Sequence, residues 1–239
     1  FIGDDSNGTF LKRKYNECNF AENDDLVVLP GNQSGCAFIT VNNQGENTII
    51  VHPGSNQDIT LKIMAANSSA FKNCQYVISQ CEIPLEIIDY GFSEAKKNNP
   101  NVVNILNLSP IPETDFLFLL KNVDILVVNE IEFEHICKNS NSSNFEEIHE
   151  KFQIESIICS RGAKSTLLYR KNESVVEVET VKVDNIVDTC GAGDSFLGGI
   201  VAGLMRDLSL PESIKFGNEV ASKKIQKKSA QVQINDLNF

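Results

Sequence analysis

From about residue 59 to residue 226, short apolar runs alternate with longer segments that carry helix signals. Tyr76–Ser79, Val102–Leu106, Asp124–Val128 and Ile157–Cys159 read as strands. Between and after them, Ile59–Ser68, Pro84 to about Lys97, a short stretch near Asp115–Leu120, Glu130–Cys137, Phe145–Phe152, about 191–206 and 211–226 read as helices. A strand followed by a helix followed by a strand can return to one sheet only as a crossover. Repetition of that unit therefore predicts an α/β fold with a mostly parallel, doubly wound sheet. The 239 residues suit one such domain.

Two stretches break the alternation. In the first, Leu26–Leu29, Cys36–Val41 and Thr48–Val51 are strand-like, with Asn42–Gly45 as a turn and no helix in between. That hairpin is expected to be antiparallel and to stand apart from the main sheet of a single domain 1–239. In the second, Thr166–Tyr169 and Val175–Val181 form a late hairpin. Residues 1–8 read as a strand end and a turn into a helix from Thr9 to about Asn16.

Charge narrows the partners. A net charge of −11 excludes a general nucleic-acid binder, whose phosphates need a basic face. Seven cysteines without a C-x-x-C pair, and apolar runs far short of a membrane span, predict reduced thiols in the cytosol and no membrane partner. There is no Walker A loop, no G-x-S-x-G elbow, and no zinc-ligand spacing among three histidines.

The chemistry concentrates where strands or loops give way to helices. Ile186-Val-Asp188-Thr-Cys190-Gly191-Ala192-Gly193-Asp194 passes through small residues into an apolar helix. Such a turn presents unpaired backbone N–H groups at a positive helix end, a site for anionic oxygens. Asp194 reads equally as a helix N-terminal acid or as a general base beside that anion. Asn129-Glu-Ile-Glu132 follows a strand and is equally an N-cap with first-turn acids or a pair orienting hydrated Mg²⁺ and phosphates. Ser160-Arg-Gly162-Ala follows the next strand, as a plain turn or a nucleotide wall, and Glu82 follows an earlier one. Taken together, polar clusters at strand carboxyl ends favour phosphate handling.

Asp188-Thr-Cys-Gly-Ala-Gly-Asp194 resembles the D-T-x-G-A-G-D signature of the PfkB carbohydrate kinase family, and Asn129-Glu-Ile-Glu132 is similar to its N-x-x-E motif. Gly3-Asp-Asp5, Gly35–Ile39, Gly45–Val51, Pro53–Asn56, Gln80–Glu86, Asn107–Pro110 and Ser229-Ala-Gln231 follow the order and spacing of the family's ribokinase group. The resemblance implies a ribokinase-like three-layer sandwich with a small β-sheet lid, its strands at about 34–52. It also implies ATP-dependent phosphorylation of a sugar, D-ribose to D-ribose 5-phosphate, or of another sugar or nucleoside.

It further implies roles. Asp194 is the base, and Gly191, Ala192 and Gly193 form the anion hole. Glu82, Ala37 and Ile39 bind the sugar. Asn129, Ser160, Gly162, Ser165 and Asn218 bind the nucleotide, and Glu132 serves Mg²⁺. Asp188, the Cys190 carbonyl and carbonyls around Ser229 hold K⁺, and lid strands pair in a homodimer. Ser165 and Gln233 depart from the family's small residues. The family's G-G-x-x-x-N sugar motif is not in this sequence and is expected upstream of Phe1; a chain lacking it is otherwise expected to be an inert binding relative.

Overall fold

The computed structural model describes residues 1–18, 26–41 and 47–231; the expected Asn42–Gly45 turn and Gln233 lie outside them. Among the described residues are ten strands. Six of them run in the order β10-β9-β8-β7-β6-β5, which makes a mostly parallel sheet. They are β5 (Tyr76–Gln80), β6 (Val103–Asn107), β7 (Ile125–Asn129), β8 (Ser156–Ser160), β9 (Thr166–Arg170) and β10 (Val176–Val178). The chain divides into two compact units, Phe1–Asn104 with Pro112–Asn122, and Ile105–Ile111 with Val123–Phe239.

In the first unit, β1 (Ile2–Gly3) lies parallel to β2 (Val28–Leu29), with Ile2 and Leu29 buried. Asp5 caps α1 (Ser6–Glu17) by accepting from the Gly8 N–H at 2.7 Å, which starts the helix earlier than Thr9. The same carboxylate takes the Ser34 N–H at 3.1 Å and the Ser34 hydroxyl at 2.8 Å. The expected strand at Leu26–Leu29 is observed only over Val28–Leu29, and Pro30 and Gly31 (φ 77°) turn the chain after it.

β3 (Cys36–Val41) and β4 (Asn47–His52) form the expected separate antiparallel pair. Opposed residues share a face, so Ala37 and Ile39 lie with Val51 and Ile49, and Phe38 lies with Ile50. Phe38, Ile39, Ile49, Ile50 and Val51 are all exposed. The helix expected over Ile59–Ser68 ends early, as α2 (Leu61–Ala66). There the Asn67 side chain takes the Ile63 carbonyl, and a 3₁₀ turn (Ser68–Phe71) follows. α3 (Leu85–Asn98) buries Ile87, Ile88, Gly91, Phe92 and Ala95 along one stripe. The stretch near Asp115–Leu120 is a 3₁₀ helix at Leu117–Asn122.

The second unit is built on β7 and β8, each buried over its first four residues, as strands covered on both faces must be. β6, β7 and β8 are parallel, and β9 and β10 continue antiparallel. The late hairpin pairs only at Val176–Val178. α4 (Glu130–Ser140) and α5 (Phe145–Phe152) follow β7, and α6 (Ala192–Leu204) and α7 (Leu210–Ile225) close the unit. α6 and α7 meet through glycine: a Cβ on Gly199 would stand 2.6 Å from the Gly217 Cα.

Candidate active site

The loop before α6 is held from behind. The N–H groups of Val187 and Asp188 donate to the Ile225 carbonyl at 2.8 and 3.1 Å. The Cys190 N–H donates to Asp188 Oδ1 at 2.9 Å, an Asx turn that swings the chain toward Gly191. Gly191 is the N-cap at φ 75°, where an L side chain is strained, and no side chain caps the helix. The Ala192 N–H is used by the Thr189 carbonyl at 3.1 Å. The N–H groups of Gly193 and Asp194 lie in a first turn that has no intrahelical acceptors for them, an arrangement that suits an anionic oxygen. Asp194 is exposed in that turn. The Asp194 carboxylate and the uncapped N–H groups of the turn therefore sit on consecutive residues.

A second cluster forms at the ends of β7 and β8, whose register sets Asn129 opposite Ser160. Asn129 Oδ1 accepts from the Glu132 N–H at 2.8 Å, and the Asn129 N–H donates to Glu132 Oε2 at 2.7 Å, a complete capping box. Glu132 is 6% exposed. Burial pushes its carboxyl above the usual range, against the opposing pull of the Asn129 N–H and the Ser109 side chain. The local N-cap reading is thus realised in full, on a carboxylate at the strand's carboxyl end. A single carboxylate suits Mg²⁺ that arrives with a nucleotide, since phosphates and water supply most of its ligands. Burial raises the neighbouring Cys159 thiol to about 11, which rules it out as a nucleophile near neutral pH.

The expected nucleotide residues are placed unevenly. Gly162 sits at φ 60° with open space around it. The Ser165 hydroxyl is engaged: Arg161 Nη2 donates to it at 2.5 Å, and it donates to Glu177 Oε2 at 2.5 Å. Asn218 is buried, accepts from the Thr166 hydroxyl and donates to the Glu179 carbonyl, both at 3.2 Å. It pins α7 to β9 and to the segment after β10. Glu82, Ala37 and Ile39, all exposed, lie in the first unit, Glu82 in the turn between β5 and α3.

The expected K⁺ ligands meet something the sequence did not announce. Lys224, in the last turn of α7, is wholly buried and donates from Nζ to the Asp188 carbonyl at 2.7 Å. Its Nζ is also 3.7 Å from Asp188 Oδ2. Ser229 turns into its own loop, its hydroxyl donating to the Gln231 carbonyl at 2.9 Å. An ammonium on these oxygens leaves Asp188 a poor ligand for a second cation. Among the described residues no group of three or more His, Cys, Asp or Glu is placed to hold a metal, and no helix is long and apolar enough to cross a membrane.

Comparison with known proteins matches the same residues. The description "pfkB family carbohydrate kinase" fits residues 1–237. Ribokinase of Staphylococcus aureus (strain COL) is 34% identical over 211 residues, covering 84% of this chain and 67% of that protein. The crystal structure of ribokinase from Thermotoga maritima superposes with a TM-score of 0.82 at 26% identity, over 96% of this chain and 74% of that one. Ribokinase from Cryptococcus neoformans var. grubii, solved in complex with ADP, gives a TM-score of 0.79 at 25% identity, over 96% and 76%. The ribokinase-like α/β sandwich expected from the sequence is the observed fold.

Proposed function

The chain belongs to the pfkB family of carbohydrate kinases, phosphotransferases that act on a hydroxyl group, and on that premise we propose that it phosphorylates D-ribose at its terminal hydroxyl with ATP. The observation that carries the reading is the uncapped first turn of α6 with Asp194 inside it. The sugar hydroxyl attacks the γ-phosphorus in line. Asp194 accepts its proton, the bond to the β-phosphate oxygen breaks, and ADP leaves. The N–H groups of Gly193 and Asp194, on the turn that Gly191 and Ala192 begin, and the dipole of α6 stabilise charge growing on the transferred phosphoryl group. Mg²⁺ bound with ATP neutralises phosphate charge, and Glu132, with Asn129 holding it, is the residue assigned to its water shell. Ser160 and Gly162 form the nucleotide wall, with Ser165 and Asn218 behind it. Glu82, Ala37 and Ile39 are assigned to the sugar. The apolar β3–β4 pair serves as a lid and, on its exposed residues, as the surface of a homodimer.

ADP release is measured over ribose, deoxyribose, fructose, adenosine and inosine, with wild type and Asp194→Asn. Ribose-dependent turnover is expected, falling about 10²- to 10⁴-fold in Asp194→Asn with ADP affinity retained. Turnover with another acceptor alone replaces the ribose assignment. Normal turnover in Asp194→Asn removes the base assignment, and no turnover with any acceptor makes the chain an inert relative.

A further inference from the structure

A lysine head group buried away from water needs oxygen partners, and Lys224 takes them from one residue. Its side chain is 0% exposed, and Nζ reaches both the carbonyl and the carboxylate of Asp188. The next residue along α7, Ile225, accepts from the Val187 and Asp188 N–H groups. Two successive residues of α7 therefore grip the two sides of the Asp188 backbone, one through a donor and one through an acceptor. Three residues further on, the loop ends at Gly191, the positive-φ N-cap of the anion turn.

A carbonyl and a carboxylate oxygen converging on a positive centre are the ligands a monovalent cation would use. Here an ammonium already holds them, and a second cation placed on the same oxygens would be repelled by it. We propose that Lys224 is a built-in cation for the Asp188–Gly191 loop, so that the anion turn is ordered, and nucleotide is bound, without K⁺. Lys224 is a positioning residue in this scheme: it touches neither substrate nor the transferred group. The scheme rests on the reading of α6 as the phosphate site.

ADP affinity by calorimetry, and thermal unfolding without nucleotide, are measured in KCl and in tetramethylammonium chloride at equal ionic strength. The proteins are wild type, Lys224→Ala and Lys224→Met. Wild type is expected to differ by less than about twofold in ADP affinity between the salts, with equal unfolding temperatures. In tetramethylammonium, both variants are expected to bind ADP about tenfold or more weakly than wild type. K⁺ is expected to restore Lys224→Ala, with a saturable rise in its unfolding temperature, because the vacated space accepts the ion; Lys224→Met, which fills that space, is not rescued.

A saturable K⁺ effect on wild type overturns the proposal, as does a Lys224→Ala variant that is indifferent to both salts and matches wild type. If the variants do not fold, the wild-type salt comparison decides alone. Failure of wild type to bind ADP in either salt removes the phosphate-site reading instead, and the nucleotide-free unfolding data still test the built-in cation.

Discussion

A Cβ on Gly191 would stand 2.1 Å from the Ala230 carbonyl oxygen, so the anion turn and the segment after α7 touch backbone to backbone. With φ at 75°, Gly191→Ala adds left-handed strain to that collision. A loss of at least about 2 kcal/mol in urea unfolding is expected, together with weakened ADP binding. A variant as stable as wild type would show that residue 230 yields freely.

Glu132 should make stability depend on pH in an unusual direction. Its carboxyl is raised by burial, so its favourable contribution is full below the unfolded value of about 4.3 and is lost as pH rises through the folded value. Glu132→Gln keeps an acceptor for the Asn129 N–H and carries no buried charge. Unfolding at pH 5 and pH 8 should therefore show the variant gaining on wild type at the higher pH. A variant that loses ground at pH 8 contradicts this.

Asp5 should act in the opposite sense. The Gly8 N–H, then the Ser34 hydroxyl, hold its carboxyl below the usual range. Its contribution is present above about 3.9 and is lost as pH falls through the folded value. The difference in urea midpoint between wild type and Asp5→Ala should be largest near neutrality and close as the medium is acidified. A constant difference down to about pH 2 would assign the effect to packing rather than charge.

The α6–α7 contact has no room for a side chain at Gly199. Gly199→Val is expected to lower stability by about 3 kcal/mol or more, or to prevent folding, because both nearest atoms belong to the Gly217 backbone. Gly198 faces open space, and Gly198→Ala should be neutral or slightly stabilising, since alanine is the better helix former. Thermal unfolding of the pair separates packing from propensity.

Strand and helix order from β5 to α7 was legible in the sequence because each element carries its own signal. Short apolar runs mark the buried strands, and Asn129 and Ser209 mark helix starts through capping boxes. One error fell where local competition decides, with Asn67 cutting α2 short. At the site, the small-residue turn before Asp194 was visible because only such a run lets backbone N–H groups face a ligand. Nothing in the run Lys223-Lys224-Ile-Gln-Lys-Lys distinguished the lysine that turns inward from those that stay in water.

The sequence by itself determined the fold class, the family and the position of the Gly191–Asp194 turn, since these depend on periodicity and on residue types within a few positions. Tertiary structure alone decided that Lys224 is buried on Asp188, 36 residues away, that Ala230 closes on Gly191, and that Gly199 is a contact rather than a weak point in a helix. Those outcomes depend on which backbone is brought within 3 Å of which, and local sequence does not encode that distance.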